Sequence, residues 1–210
     1  MMGGRKLLAL GLTGLAIVLT LAAASPAEAH HLMGGRTPST FMEGLLSGLG
    51  HPVIGLDHLA FIVAIGVAVG VAGLSLAIPT LFIVGSAIGV AIHVRGITLP
   101  AAEILVALTV LAAGALIAFG RAMQTSGWAV LFAVGGLIHG YAFGESIYGA
   151  EPSPLAAYLV GLAIIQAVLV TAVAAVARRS RTSGLEPRLA GAAIAGIGLA
   201  ILAGQLLPAG

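Results

Sequence analysis

The chain is a succession of predominantly apolar runs, each close to the 20 or so residues that an α-helix needs to cross the hydrocarbon core of a bilayer. Such runs at 52–72, 75–94, 100–119, 127–147, 155–177 and 189–207 predict six spans in a single bundle. The expected fold class is therefore all-α, an integral membrane helical bundle. Composition agrees: 60% of residues are apolar and 8% charged, with a mean hydropathy of +1.15, far from the balance of a soluble domain. The absence of cysteine excludes disulfides, thiolate metal sites and cysteine nucleophiles. A formal charge of +2 with scattered arginines gives no footprint for nucleic acid.

Residues 1–29 read as a signal peptide. Arg5 and Lys6 form its basic region, Leu7 to Ala24 its apolar run, and Ala27–Glu28–Ala29 a small-x-small cleavage site. Cleavage after Ala29 leaves a periplasmic segment, 30–50, starting at His30 and His31 and containing a short interfacial helix within 37–50, with Ser39 or Thr40 as its N-cap. The six-span domain occupies 51–210. With the new N-terminus outside, the inner loops carry Arg121, Arg178, Arg179, Arg181 and Arg188, and the outer segments only Arg36 and Arg95. This satisfies the positive-inside rule. It predicts a multi-pass protein of the bacterial inner membrane with both mature termini in the periplasm.

That orientation sorts the polar residues. His51, Asp57 and His58 fall in the outer half of the first span, His93 at the outer end of the second, and Glu103 near the start of the third. His139 lies near mid-depth in the fourth and Glu145 at its outer rim. The inner half carries no histidine. An ionisable residue at membrane depth is costly and marks function by default. His51 and His58 are seven residues apart and share a face if the helix runs regularly through Pro52. Asp57 is either a further ligand or the acceptor that orients an imidazole. Gly136, Gly140 and Gly144 form a ridge for close helix packing, with the first span as the expected partner; Gly85 and Gly89 make a further packing face. Imidazole and carboxylate without sulfur suit borderline divalent ions such as nickel, cobalt, zinc or copper(II). His30 and His31, with the freed α-amino group, form an outer capture site, and His93 is a further capture candidate. Glu43 and Glu151 are expected to be solvated.

"HPVIGLDH" at 51–58 resembles the H-P-x-x-G-x-D-H signature of the HupE/UreJ family, hydrogenase and urease accessory membrane proteins. "HGYAFGE" at 139–145 is similar to the family's second signature, with Ile138 where a phenylalanine is usual and Glu145 directly after Gly144. The resemblance covers essentially the whole chain. It implies a secondary nickel permease, with cobalt or other metals carried by some members, and assigns the metal to His51, Asp57, His58, His139 and Glu145.

The expected function is thus a non-enzymatic permease that moves a divalent transition metal, Ni²⁺ first and Co²⁺, Zn²⁺ or Cu²⁺ as alternatives, from periplasm to cytoplasm for metalloenzyme maturation. No nucleotide-binding P-loop is present, so a gradient, the membrane potential or trapping inside must drive it. The expected partners are the lipid bilayer and the metal ion; assembly as a homo-oligomer stays open. Thr109 and Gln124 are the polar groups available for the inward path. The competing readings are an intramembrane zinc hydrolase using Ser86 or Ser146, and a metal sensor or small-solute channel with a structural site.

Overall fold

The computed structural model describes residues 36–120, 122–179 and 185–207, all of them helix, turn or loop. The predicted signal peptide and the capture residues His30 and His31 lie outside the described residues. Seven α-helices follow in order: α1 Phe41–Ile54, α2 Leu56–Ala72, α3 Thr80–Val94, α4 Ala102–Ala118, α5 Thr125–Phe143, α6 Pro152–Arg179 and α7 Leu185–Leu206, with a 3₁₀ turn, Gly144–Ile147, prolonging α5. The chain is an all-helical membrane protein. Among the described residues three helices are long and apolar enough to cross a bilayer, and α1 with α2 forms a fourth if the bent pair is one span. Helices α3 and α4 are shorter apolar helices.

The first predicted span is where the structure departs most from the sequence reading. It is not a regular helix from residue 52. Thr40 caps α1 through a reciprocal capping box with Glu43, and the helix runs on through Pro52 to Ile54. Gly55, with extended backbone (φ −73°, ψ 110°), then breaks the chain, and α2 departs at 78°. Two local causes coincide. Pro52 has no N–H to give to the preceding turn. A side chain on Gly55 would stand 2.6 Å from the His58 ring, so only glycine lets that ring pack against the break. The second span also starts later than predicted, at Thr80, because Ser75 to Pro79 close into successive tight turns.

Helix α2 is the centre of the bundle. Phe61, Ile62, Ile65 and Val69 on it are fully buried. Its outer partners are set by small residues. Gly66 and Gly70 fit against Val173 and Ala177 of α6, while on α1 Gly48 fits against the Tyr158 backbone of the same helix. The broken pair α1–α2 therefore runs parallel to α6. The glycine ridge of α5 packs on α3, not on the first span as expected. Backbone of Phe82 and Ser86 fills the space where side chains on Gly136 and Gly140 would go, and Gly85 and Gly89 reciprocate against Ala133 and Leu137. Those contacts make α3 and α5 parallel, and Phe61 against Gly135 together with His58 against His139 sets α5 antiparallel to α2. Helices α4 and α7 are antiparallel through Gly114 and Gly191. Large apolar side chains such as Val84, Ile88, Val160, Val168 and Leu199 remain on the outside, where lipid solvates them.

Candidate functional site

The buried polar side chains among the described residues are Ser47, His51, Asp57, His58, Ser86, Thr109, His139, Ser146 and Gln166. Four of the five residues expected at the metal site are in this set. The break at Gly55 explains how they meet. His51 arrives on the last turn of α1, and Asp57 and His58 on the first turn of α2. The rings of His51 and His58 lie 5.7 Å apart. Their proximity comes from the bend and not from a shared helical face.

His139 reaches the same place from α5. Its Nδ1 lies 2.9 Å from His58 Nδ1, its Nε2 lies 2.8 Å from Thr109 Oγ1 on α4, and its ring stacks on Phe61 at 4.5 Å. Protons can be assigned along this chain. The single hydroxyl proton of Thr109 goes to the Val106 carbonyl, 2.7 Å away. The Thr109 oxygen must then accept from His139, so His139 carries its proton on Nε2. Its Nδ1 is left as an acceptor when the ring is neutral, and His58 Nδ1–H donates to it. On the other side of the His58 ring, Nε2 is 3.9 Å from Asp57 Oδ1. That same oxygen accepts the His58 backbone N–H at 2.8 Å. A carboxylate in the first turn of α2 also meets the positive end of the helix.

His51 is held separately. Its Nδ1 is 2.9 Å from Ser146 Oγ in the 3₁₀ turn, and Ser146 in turn lies 3.1 Å from the Tyr158 hydroxyl. Tyr158 donates to the Phe143 carbonyl at 2.8 Å. The Phe143 ring packs against both imidazoles, 5.4 Å from His51 and 4.4 Å from His58.

Glu145 does not join these residues. The 3₁₀ turn exposes it and directs the next residue, Ser146, inward. His93, at the outer end of α3, packs its ring between Tyr141 and Tyr148 at 4.6 and 5.8 Å. Gly144 leaves room for it: a side chain there would strike His93. His93 Nδ1 is buried without a hydrogen-bond partner among the described residues. Glu103 is exposed in the first turn of α4, and Gln124 is exposed at the start of α5. Of the two path candidates, only Thr109 is inside.

In this arrangement no three His, Asp or Glu side chains among the described residues form a ready cage for a metal ion. The imidazoles are bonded to one another and to hydroxyls. The cluster contains ligand-type nitrogens, but a cation can take them only by displacing the proton between His58 and His139.

Sequence reasoning passed over Tyr158 and Gln166. Gln166 was detectable: it is the one amide in a 28-residue apolar helix. Tyr158 gave no such signal, since tyrosine is common in spans and at their ends.

A helical membrane protein whose buried polar groups gather around three histidines at a broken helix is the class that fold and site define. The chain belongs to the HupE/UreJ family: the family model described as "HupE / UreJ protein" matches residues 17–201. It is 33% identical over 194 residues to protein HupE of Rhizobium leguminosarum bv. viciae, a match covering 90% of this chain and 97% of that one. No solved structure gives a significant match.

Proposed function

We propose that the protein is a secondary permease of the bacterial inner membrane that carries a divalent transition metal, Ni²⁺ in the first place, from the periplasm to the cytoplasm. The family's association with nickel handling for hydrogenase and urease supports the cargo. The observation that carries the reading is the His58–His139 bond: two imidazole nitrogens turned toward each other at the junction of a broken helix. Discontinuous helices at substrate sites are a recurring device of secondary transporters.

The geometry suggests how the ion is taken. Thr109 keeps the His139 proton on Nε2, so its Nδ1 lone pair is preset as a ligand. His58 holds the proton that blocks the site. When an ion arrives, His58 changes tautomer: its proton passes from Nδ1 to Nε2, on the side that faces Asp57. Asp57 acts as the orienting acceptor of a ligand imidazole. His51, released from Ser146, supplies a third nitrogen. Glu145 and His93, with His30 and His31 ahead of them, attract the ion at the outer rim. Because the resting bonds re-form when the ion departs, binding is moderate, as transport requires.

One observation favours a second reading. The His51–Ser146 contact of 2.9 Å places a ligand-type imidazole beside a buried hydroxyl, groups that a zinc hydrolase would gather around a metal-activated water. Metal analysis of the purified protein separates the two. Readily exchanged nickel supports the permease; one tightly retained zinc with ester or amide turnover supports the hydrolase.

A further inference from the structure

We propose that the Gln166 amide oxygen, oriented by Ser86, forms a second cation station, about one helical turn inward of His58, which receives the divalent ion with part of its water shell. The inference rests on the permease reading above and deepens it.

The amide of Gln166 has one orientation. Ser86 gives its only hydroxyl proton to the Phe82 carbonyl, 2.9 Å away. Its oxygen can therefore only accept, and the group facing it at 3.2 Å must be the Gln166 NH₂. The amide oxygen is turned to the other side. Gln166 is 0% exposed, and Oε1 has no hydrogen-bond partner among the described residues. Buried amides are nearly always satisfied, and an orphan acceptor in such a place asks for a ligand, a water or an ion.

Its position is the second, independent observation. Gly66 of α2 meets Val170 and Val173 of α6, and the two helices are parallel. Gln166 is one turn before Val170 and so stands level with Ile62, about 6 Å inward of His58. On the other side, Ser86 packs against Gly140, the residue next to His139. Ser86 thus stands beside the histidines and the Gln166 backbone a turn below His58, where the apolar lining of α2 begins. Gln166 Oε1 offers one neutral oxygen, held in place by the bond from its NH₂ to Ser86. Oxygen donors hold borderline ions more weakly than imidazole does, so an ion passing from nitrogen to amide oxygen moves toward release. A station of weaker affinity following a stronger one is what conduction needs.

The test uses full-length protein, both in detergent for equilibrium Ni²⁺ binding and in proteoliposomes for initial Ni²⁺ uptake. Gln166→Met keeps the volume and removes the oxygen. It should leave Ni²⁺ affinity within about threefold of the parent and slow uptake at least about tenfold. Gln166→Glu keeps an oxygen donor while losing the bond to Ser86, and should recover uptake well above the methionine variant. Ser86→Ala, which frees the amide to rotate, should fall between. A purely structural amide predicts the opposite order, because glutamate would be worse than methionine. The inference is overturned if Gln166→Met takes up nickel at the parental rate, or if Gln166→Glu is as slow as Gln166→Met while both melt at the parental temperature. A parent that binds and moves no nickel would instead remove the permease reading, and this inference with it.

Discussion

His58 and His139 are 81 residues apart in the chain, yet their Nδ1 atoms share one proton across 2.9 Å. Under the proposed permease function, a proton held between these two potential ligands is the lock on the metal site. The surrounding side chains divide the work of keeping it there. Thr109 fixes one ring, Asp57 faces the other, and Phe61 and Phe143 pack on the rings.

Thr109→Val should expose what the hydroxyl does. It leaves the His139 Nε2–H buried with no acceptor, at a cost of about 1–3 kcal/mol. The ring escapes part of this by moving its proton to Nδ1, toward His58. Nitrogen chemical shifts of labelled imidazoles should report that change of tautomer, and nickel affinity should drop at least about fivefold because the lone pair no longer faces the site. Unchanged shifts would refute the proton assignment.

The glycine ridge gives a packing prediction. Gly140→Ala pushes a methyl into the Ser86 backbone and should destabilise the α3–α5 pair by about 1–3 kcal/mol. Gly196→Ala, in α7 with nothing near it, should be neutral or stabilising by about 0.5–1 kcal/mol through helix propensity. Thermal melts in one detergent compare them directly. Equal losses would show that the ridge is not a close interface.

Glu145 is exposed, and under the proposed permease function it gathers ions without holding them. Glu145→Gln should raise the half-saturating nickel concentration about two- to fivefold, more at low salt, while leaving the maximal rate near parental. A collapse of the maximal rate with unchanged half-saturation would bring Glu145 into the buried site.

Capping offers a separate check on α1. Thr40→Ala removes the hydroxyl that accepts the Glu43 N–H at 3.2 Å and should cost about 1 kcal/mol of stability. Hydrogen exchange should show the loss confined to the first turns of α1, with α2 unaffected, because Gly55 separates the two helices.

Much of this was readable from sequence because membrane depth makes each polar residue conspicuous. The joining of His58 with His139 followed from alternating helix directions. A cap at Ser39 or Thr40 was legible, and the reciprocal bonds with Glu43 select Thr40. The route of His51 into the cluster did not follow, since a seven-residue spacing looks like a shared face unless the helix is known to break at Gly55. The ridge at Gly136 and Gly140 announced a close partner without naming it. Several helices offer small residues, and only packing selects Gly85 and Gly89. Ser146 and Glu145 are neighbours, and a 3₁₀ turn, invisible to a 3.6-residue periodicity, decides which of them faces inward.

The most direct measurement of the central claim is Ni²⁺ uptake into proteoliposomes containing the parent, His58→Ala or His139→Ala, each at equal incorporation, with Co²⁺, Zn²⁺ and Cu²⁺ as competitors. A shared His58–His139 site predicts saturable uptake by the parent and at least about a tenfold loss in each variant, the two together no worse than either alone because they act as one unit. Parental uptake by both variants would contradict it.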